Sequence, residues 1–156
     1  MELTHELQTM KLLLVDSDAI LCRSVKSCLR HKVLSFDVAE TGERALELLT
    51  HHVYDILLCD ETLPGMNGVA FFKSLAKTHP NMLQKILIIT YADLEVMHEA
   101  ISVGITHFLQ KPFNMETFMN SISMVISHRD VKPSSEIMVD GQRVIKHGNL
   151  ILTLLH

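Results

Sequence analysis

Ile56-Leu57-Leu58-Cys59-Asp60-Glu61-Thr62-Leu63-Pro64-Gly65-Met66-Asn67-Gly68 is the stretch from which the fold can be read. Its first four residues are apolar without alternation, the pattern of a parallel strand buried on both faces. Asp60 follows at the carboxyl end of that strand, where open α/β sheets bind their ligands. Pro64-Gly65 asks for a tight turn, and Gly68 lets the chain enter a helix at close quarters. A carboxylate in this place serves as a metal ligand, a nucleophile or both. The plainer alternative is an aspartate that caps a turn.

Outward from this centre, apolar runs and helical stripes alternate. Lys11-Leu12-Leu13-Leu14-Val15 predicts a buried strand ending in Asp16-Ser17-Asp18. Ser17 or Asp18 then caps a helix whose Leu21, Val25 and Leu29 recur at helical spacing. Phe36-Asp37-Val38-Ala39 alternates more and belongs nearer a sheet edge, and Thr41-Gly42-Glu43 opens a helix carrying Ala45, Leu46 and Leu49. The third strand covers Asp55 to Cys59. The helix after it runs from Val69 to Thr78, with Phe71, Phe72, Leu75 and Ala76 inward. Pro80-Asn81 breaks the chain. Lys85 to Thr90 is a β-branched fourth strand, and Leu94 to Val103 a helix with Gly104 at its end. His107-Phe108-Leu109-Gln110 is the fifth strand, stopped by Lys111-Pro112. Asn114 caps a last helix striped by Phe118, Ile122, Val125 and Ile126. Strand and helix thus alternate five times by about residue 128, which implies a parallel sheet with helices on both faces and right-handed crossovers.

The domain organisation follows from this pattern: an N-terminal extension over 1–10, one α/β domain over 11–128, a linker over 129–135 and a β tail over 136–156. Arg129-Asp130-Val131-Lys132-Pro133-Ser134-Ser135 has linker composition. In the tail, Asp140-Gly141 and Gly148-Asn149 are hairpin signals, predicting a small meander. Its last segment, Leu150 to Leu155, is apolar on both faces, so the tail packs on something or begins a further, truncated domain.

Hydrophobic residues at 47% and charged residues at 21% exclude a disordered chain, and 156 residues suffice for one domain with its own core. A formal charge of −4 gives no reason to expect nucleic-acid binding. There is neither a signal-peptide pattern at the N-terminus nor an apolar stretch of membrane-spanning length, so the expected location is cytoplasmic, away from membranes. Cys22, Cys28 and Cys59 fit no zinc spacing and read as thiols in or near the core. His51-His52 suits a helix C-terminus as well as it suits a metal.

In a doubly wound sheet the ends of the first, third, fourth and fifth strands converge, bringing together Asp16 and Asp18, Asp60, Thr90 and Lys111. Clustered carboxylates favour a hard divalent cation, and Mg²⁺ is the natural candidate. A lysine and a hydroxyl at the same point are what the oxygens of an incoming phosphoryl group need. The arrangement suits an aspartate that accepts a phosphoryl group. Taken singly, Asp16 and Asp18 read as helix-capping acids, with Asp18 the better cap. Thr90 alone is an ordinary strand end, Lys111 a solvated lysine and Phe108 plain core. A coincidence of all of these at four strand ends is the less economical reading.

Leu-Leu-Leu-Val-Asp at 12–16, Asp-Glu-Thr-Leu-Pro-Gly-Met-Asn-Gly at 60–68, Ile-Ile-Thr at 88–90 and Phe-Leu-Gln-Lys-Pro-Phe at 108–113, in this order, resemble the receiver domain of bacterial two-component response regulators, the CheY-like family. The resemblance covers residues 11 to about 128. It implies a flavodoxin-like, doubly wound, five-stranded parallel sheet of order 2-1-3-4-5, here with a short C-terminal β appendage. It implies that Asp60 is the phosphoacceptor, phosphorylated by a histidine kinase or phosphotransfer protein. Asp16, Asp60 and the backbone carbonyl of Thr62 would hold Mg²⁺, with Asp18 a further candidate ligand. Thr90 and Lys111 would contact the phosphoryl group, and Phe108 would be the switch aromatic. The surface of the fourth helix, fifth strand and fifth helix would carry the signal. Such a domain catalyses only its own phosphorylation and dephosphorylation and is not otherwise an enzyme.

Two positions depart from the family pattern. Ser17 stands where a second acid usually ligates the metal, and serine is a much weaker Mg²⁺ ligand than a carboxylate. Tyr91 stands where a small residue usually lines the entrance to the site, so access to Asp60 is narrowed. Both leave open a second function, a phosphorylation-independent pseudo-receiver that binds partners or forms a homodimer. A third reading takes Asp16-Ser17-Asp18 as the Asp-x-Asp of a haloacid-dehalogenase-type phosphatase, but no acidic metal motif follows in the second half. The tail from Val144 to Thr153 faintly resembles the opening strands of a winged-helix output domain; a β appendage used for dimerisation is the alternative.

Overall fold

The computed structural model describes residues 2–79, 84–105, 107–127, 136–140, 142–147 and 150–153. The strands are β1 (Lys11–Val15), β2 (Ser35–Ala39), β3 (Ile56–Asp60), β4 (Lys85–Ile89), β5 (His107–Gln110), β6 (Glu136–Val139), β7 (Gln142–His147) and β8 (Leu150–Thr153). The helices are α1 (Glu2–Leu7), α2 (Ala19–Leu29), α3 (Gly42–His51), α4 (Gly68–Thr78), α5 (Leu94–Ser102) and α6 (Met115–Ser127). The sheet order is β2-β1-β3-β4-β5-β6-β7-β8. The expected 2-1-3-4-5 parallel core is present, and β2 is its edge.

Alternation along the strands sorts the core into two layers. Leu13, Val15, Leu57, Cys59, Leu87 and Ile89 face α3, α4 and α5, where Ala45, Leu49, Phe71, Phe72, Leu75 and Met97 meet them. Leu12, Leu14, Ile56, Leu58, Ile86 and Ile88 face α2 and α6, packing on Val25, Leu29, Phe118, Ile122 and Val125. Every β3 residue is buried, as expected for a central strand with helices on both sides.

Three features go beyond the sequence reading. Within the N-terminal extension, α1 and the turn after it bury Leu7 and Met10 in the α2–α6 layer. In the appendage β6 pairs parallel with β5, and β7 and β8 follow antiparallel, so the sheet continues to eight strands. The edge of β5 is therefore paired, not open. The break at Pro80-Asn81, the linker over 129–135, Gly141 of the first hairpin turn, Gly148-Asn149 and Leu154-Leu155 lie outside the described residues. Among the described residues no helix is long and apolar enough to cross a membrane.

Candidate functional site

The buried strands β1 and β3 lie side by side and lead into Asp16 and Asp60. Asp16 continues the β1 ladder, its N–H donating to Ala39 O at 3.0 Å. β5 lies across β4 from β3 and delivers Lys111, whose N–H donates to Ile89 O at 2.7 Å. Lys111 Nζ reaches both acids. It donates to Asp60 Oδ2 at 3.2 Å and sits 3.0 Å from Asp16 Oδ2 in an ion pair that is not an aligned hydrogen bond. The Asp16 carboxylate is fully buried, Asp60 nearly so, and Lys111 partly exposed.

The loop after Asp60 is built from what the turn demands. Gly65 takes φ +79°, in the left-handed region. Gly68 starts α4 directly against the site: an added Cβ would lie 2.6 Å from Asp60 O and 2.9 Å from Glu61 Cα. Asn67 caps α4 through Ala70 N–H. The Thr62 N–H points at Asp60 Oδ1, at a long 3.4 Å.

Electrostatics follow from this geometry. Burial raises the Asp60 pKa, and the nearby Asp16 charge raises it further, while Lys111 pulls it down. Burial alone would lower the Lys111 pKa, but the two carboxylates reverse this and hold the ammonium protonated. With one lysine between two acids, the cluster keeps one net negative charge.

That charge tests the fit of a divalent cation. Asp16 Oδ2 is buried with no aligned donor, and the Thr62 carbonyl accepts no hydrogen bond among the described residues. Two carboxylates and a carbonyl suit Mg²⁺, which keeps several waters and takes one or two carboxylates. A third acid does not join them: among the described residues no group of three or more His, Cys, Asp or Glu is arranged to hold a metal. Ser17 is exposed. The Asp18 carboxylate caps α2, with Oδ1 accepting from Ile20 N–H at 3.0 Å and Leu21 N–H at 3.2 Å. Asp18 thus takes the capping role the sequence also offered it, through Oδ1. The Asp-x-Asp pair is split, one acid in the site and one on the helix.

Thr90 is exposed at the end of β4, and Tyr91 is 81% exposed. Together with Glu61, Thr62, Ile89, Asp93 and Val96 they line a cleft of about 110 Å³. The Tyr91 ring therefore stands at the surface beside the site and not in the core. Phe108 is buried at 1% exposure among the α3–α5 core residues. Cys22, whose Sγ contacts Asp16 O at 3.5 Å, has its thiol pushed up to about 11, chiefly by burial and then by Asp16. Cys59 is buried and shifted upward as well. Neither is a reactive thiolate.

Two residues of this neighbourhood escaped sequence reasoning. Gln110 donates through its side chain to Thr90 O at 3.4 Å, and its backbone N–H donates to Asp140 Oδ1 at 2.6 Å. Asp140 carried a signal, but as part of an Asp-Gly turn.

The family described as "Response regulator receiver domain" matches residues 12–123. The DNA-binding transcriptional regulator NtrC of Klebsiella pneumoniae is 32% identical over 115 residues, covering 74% of this chain and 24% of NtrC. The transcriptional regulatory protein ZraR of Escherichia coli K12 is 28% identical over 127 residues, covering 81% of this chain and 28% of ZraR. This chain therefore spans about a quarter of the length of these curated relatives. Among solved structures, the chemotaxis response regulator CheY4 of Vibrio cholerae superposes with a TM-score of 0.69 at 26% identity, covering 75% of this chain and 98% of CheY4. A CheY-like receiver domain protein from Methanospirillum hungatei shares the fold with a TM-score of 0.72 at 24% identity, covering 78% and 97%.

Proposed function

Since the chain belongs to the response regulator receiver family, we propose that it works in the cytoplasm as a signalling receiver. In this reading Asp60 takes a phosphoryl group from the phosphohistidine of a histidine kinase or phosphotransfer protein and thereby switches a partner or output domain. The observation that carries the reading is Lys111 Nζ, 3.2 Å from Asp60 and 3.0 Å from Asp16, at the mouth of a doubly wound sheet.

Asp60 is the nucleophile: its carboxylate attacks phosphorus, the P–N bond breaks, and the electron pair leaves with the donor's imidazole. Lys111 opposes the rise that burial and Asp16 impose on the Asp60 pKa and is placed to move onto a phosphoryl oxygen. The Thr90 hydroxyl, exposed at the neighbouring strand end, is placed to receive a second one. Asp16, Asp60 and the Thr62 carbonyl would hold Mg²⁺, which when bound supplies positive charge against the phosphoryl oxygens.

The test is incubation with acetyl phosphate, with and without Mg²⁺, followed by intact-mass detection of the acyl phosphate. Asp60→Asn is nearly isosteric but lacks the nucleophile, so it should keep the fold and take up no phosphate. Undiminished incorporation by the mutant would sink the assignment. A second reading, a pseudo-receiver that binds partners or dimerises without phosphorylation, is favoured by Ser17 and by the two-carboxylate donor set. Absence of phosphate on the wild-type chain in Mg²⁺ would select it.

A further inference from the structure

The residues that match the family end at 123, yet the sheet does not end there. β6 is held by β5, and it is held beside the site. Successive peptide groups of a strand point to opposite neighbours. In β5 this alternation sends Lys111 N–H to Ile89 O on β4 at 2.7 Å, and Gln110 N–H the other way, to the tail.

At the end of that side of β5, one residue holds two backbone groups. The Asp140 N–H donates to Phe108 O at 2.7 Å, and Asp140 Oδ1 accepts from Gln110 N–H at 2.6 Å. The two bonds form a clamp that spans Leu109. The ladder of β6 pairs His107 with Met138 and Phe108 with Val139 and then stops. At Asp140 the chain turns away with φ +52°, a left-handed conformation that is unfavourable for most L-residues but tolerated by Asp. Its carboxylate takes the place of the backbone acceptor that a continuing strand would have offered. Met138 is buried, and Val139 packs on the core layer that contains Phe108.

The clamp reaches the site through Gln110. The backbone of Gln110 is bonded to Asp140, its side chain to Thr90 O, and the next residue is Lys111. The two peptides that flank Gln110 are thus both held, the Leu109–Gln110 peptide by Asp140 and the Gln110–Lys111 peptide by Ile89. Both groups placed to handle phosphoryl oxygens, Thr90 and Lys111, border the residue that Asp140 holds.

Resting on the phosphoacceptor reading of Asp60, we propose that Asp140 is a positioning residue for the Asp60 site, and that docking of β6 on β5 is thermodynamically linked to occupancy of that site. Linkage is reciprocal. If the docked tail arranges Lys111 and Thr90, a phosphoryl group that draws them to new partners changes the hold on the tail.

The experiment uses the full chain with acetyl phosphate and Mg²⁺. Acyl-phosphate formation is followed by intact mass, and hydrogen exchange of the 136–147 amides is read before and after phosphorylation. Asp140→Ala should phosphorylate about tenfold more slowly, the rate equivalent of roughly one lost hydrogen bond. Asp140→Asn retains an acceptor oxygen and should stay within about threefold of wild type, the charge alone being lost. In the wild-type chain the tail amides should change their exchange on phosphorylation, and in Asp60→Asn treated identically they should not. Full phosphorylation of the wild type with unchanged tail exchange, together with a wild-type rate in Asp140→Ala, overturns the coupling and leaves the phosphoacceptor reading standing. Failure of the wild type to take up any phosphate overturns that reading and the coupling with it.

Discussion

Lys111 is the single cation among the described groups that contact Asp16 and Asp60, and removing its charge should expose what the site stores. Lys111→Met keeps much of the side-chain volume and deletes the ammonium. At 3.0 and 3.2 Å, each lysine–carboxylate attraction amounts to about 5 kcal/mol at an effective dielectric constant of about 20. Since both acids reach one nitrogen, they lie within about 6 Å of each other and repel by about 3 kcal/mol on the same scale. Desolvation of the lysine offsets part of the attraction, so the net loss of stability should fall near the roughly 3–5 kcal/mol typical of breaking a buried pair. The pH dependence has a definite sign. The Asp60 pKa is already raised by burial and then by Asp16, and loss of Lys111 raises it further. An acid whose folded pKa exceeds its unfolded value destabilises the fold above the folded pKa and not below the unfolded one. The deficit of Lys111→Met should therefore be largest at neutral pH and shrink as pH falls through the raised pKa of Asp60. Mg²⁺ should restore more stability to the mutant than it adds to the wild type. Urea unfolding of both proteins at two pH values, with and without Mg²⁺, measures all of this. Equal stability of mutant and wild type at neutral pH, with no difference in their response to Mg²⁺, would refute the electrostatic account of the site.

Ser17→Asp should tighten Mg²⁺ binding by roughly tenfold, because an anionic oxygen joins a donor set of two carboxylates; it should also lower the stability of the metal-free protein. Isothermal titration gives the first and urea unfolding the second, and unchanged affinity would mean that position 17 does not face the metal. Gly68→Ala should cost about 3 kcal/mol, since the new methyl group meets backbone atoms at 2.6 and 2.9 Å that cannot rotate away. A loss below that of an ordinary helix-start substitution would show that α4 can retreat from Asp60. Tyr91→Ala should alter stability by less than about 0.5 kcal/mol because the ring is exposed. The same change should shorten the lifetime of the acyl phosphate by opening the approach of an in-line water. A large loss of stability with an unchanged lifetime would reverse that assignment.

What the sequence made legible was what nearest-neighbour physics decides. Unbroken apolar runs at 12–15, 56–59 and 86–89 mark strands buried on both faces, and each is buried as read. Convergence of strand ends, that of β5 included, then puts Asp16, Asp60 and Lys111 at one point without any knowledge of side-chain geometry. The fates of the two acids after β1 show where this reasoning stops. Asp16 and Asp18 are the same residue two positions apart, and their separation depends on where α2 begins. The first turn of a helix carries unpaired N–H groups, and Asp18 satisfies two of them, while Asp16 remains with the sheet. α1 was unreadable because six residues are too few to display a stripe; only the burial of Leu7 and Met10 by tertiary packing reveals it. The tail is the instructive case. Asp140 carried a local turn signal, and the chain turns there with φ +52°, but nothing local could announce β5 as the partner of β6. That pairing is decided by a requirement elsewhere in the chain: the outward Phe108 carbonyl and Gln110 N–H need partners at the edge of a largely buried sheet. A residue's meaning here depends on which distant backbone group is left unpaired. The same turn residue that closes a hairpin is thereby placed one residue's reach from Lys111.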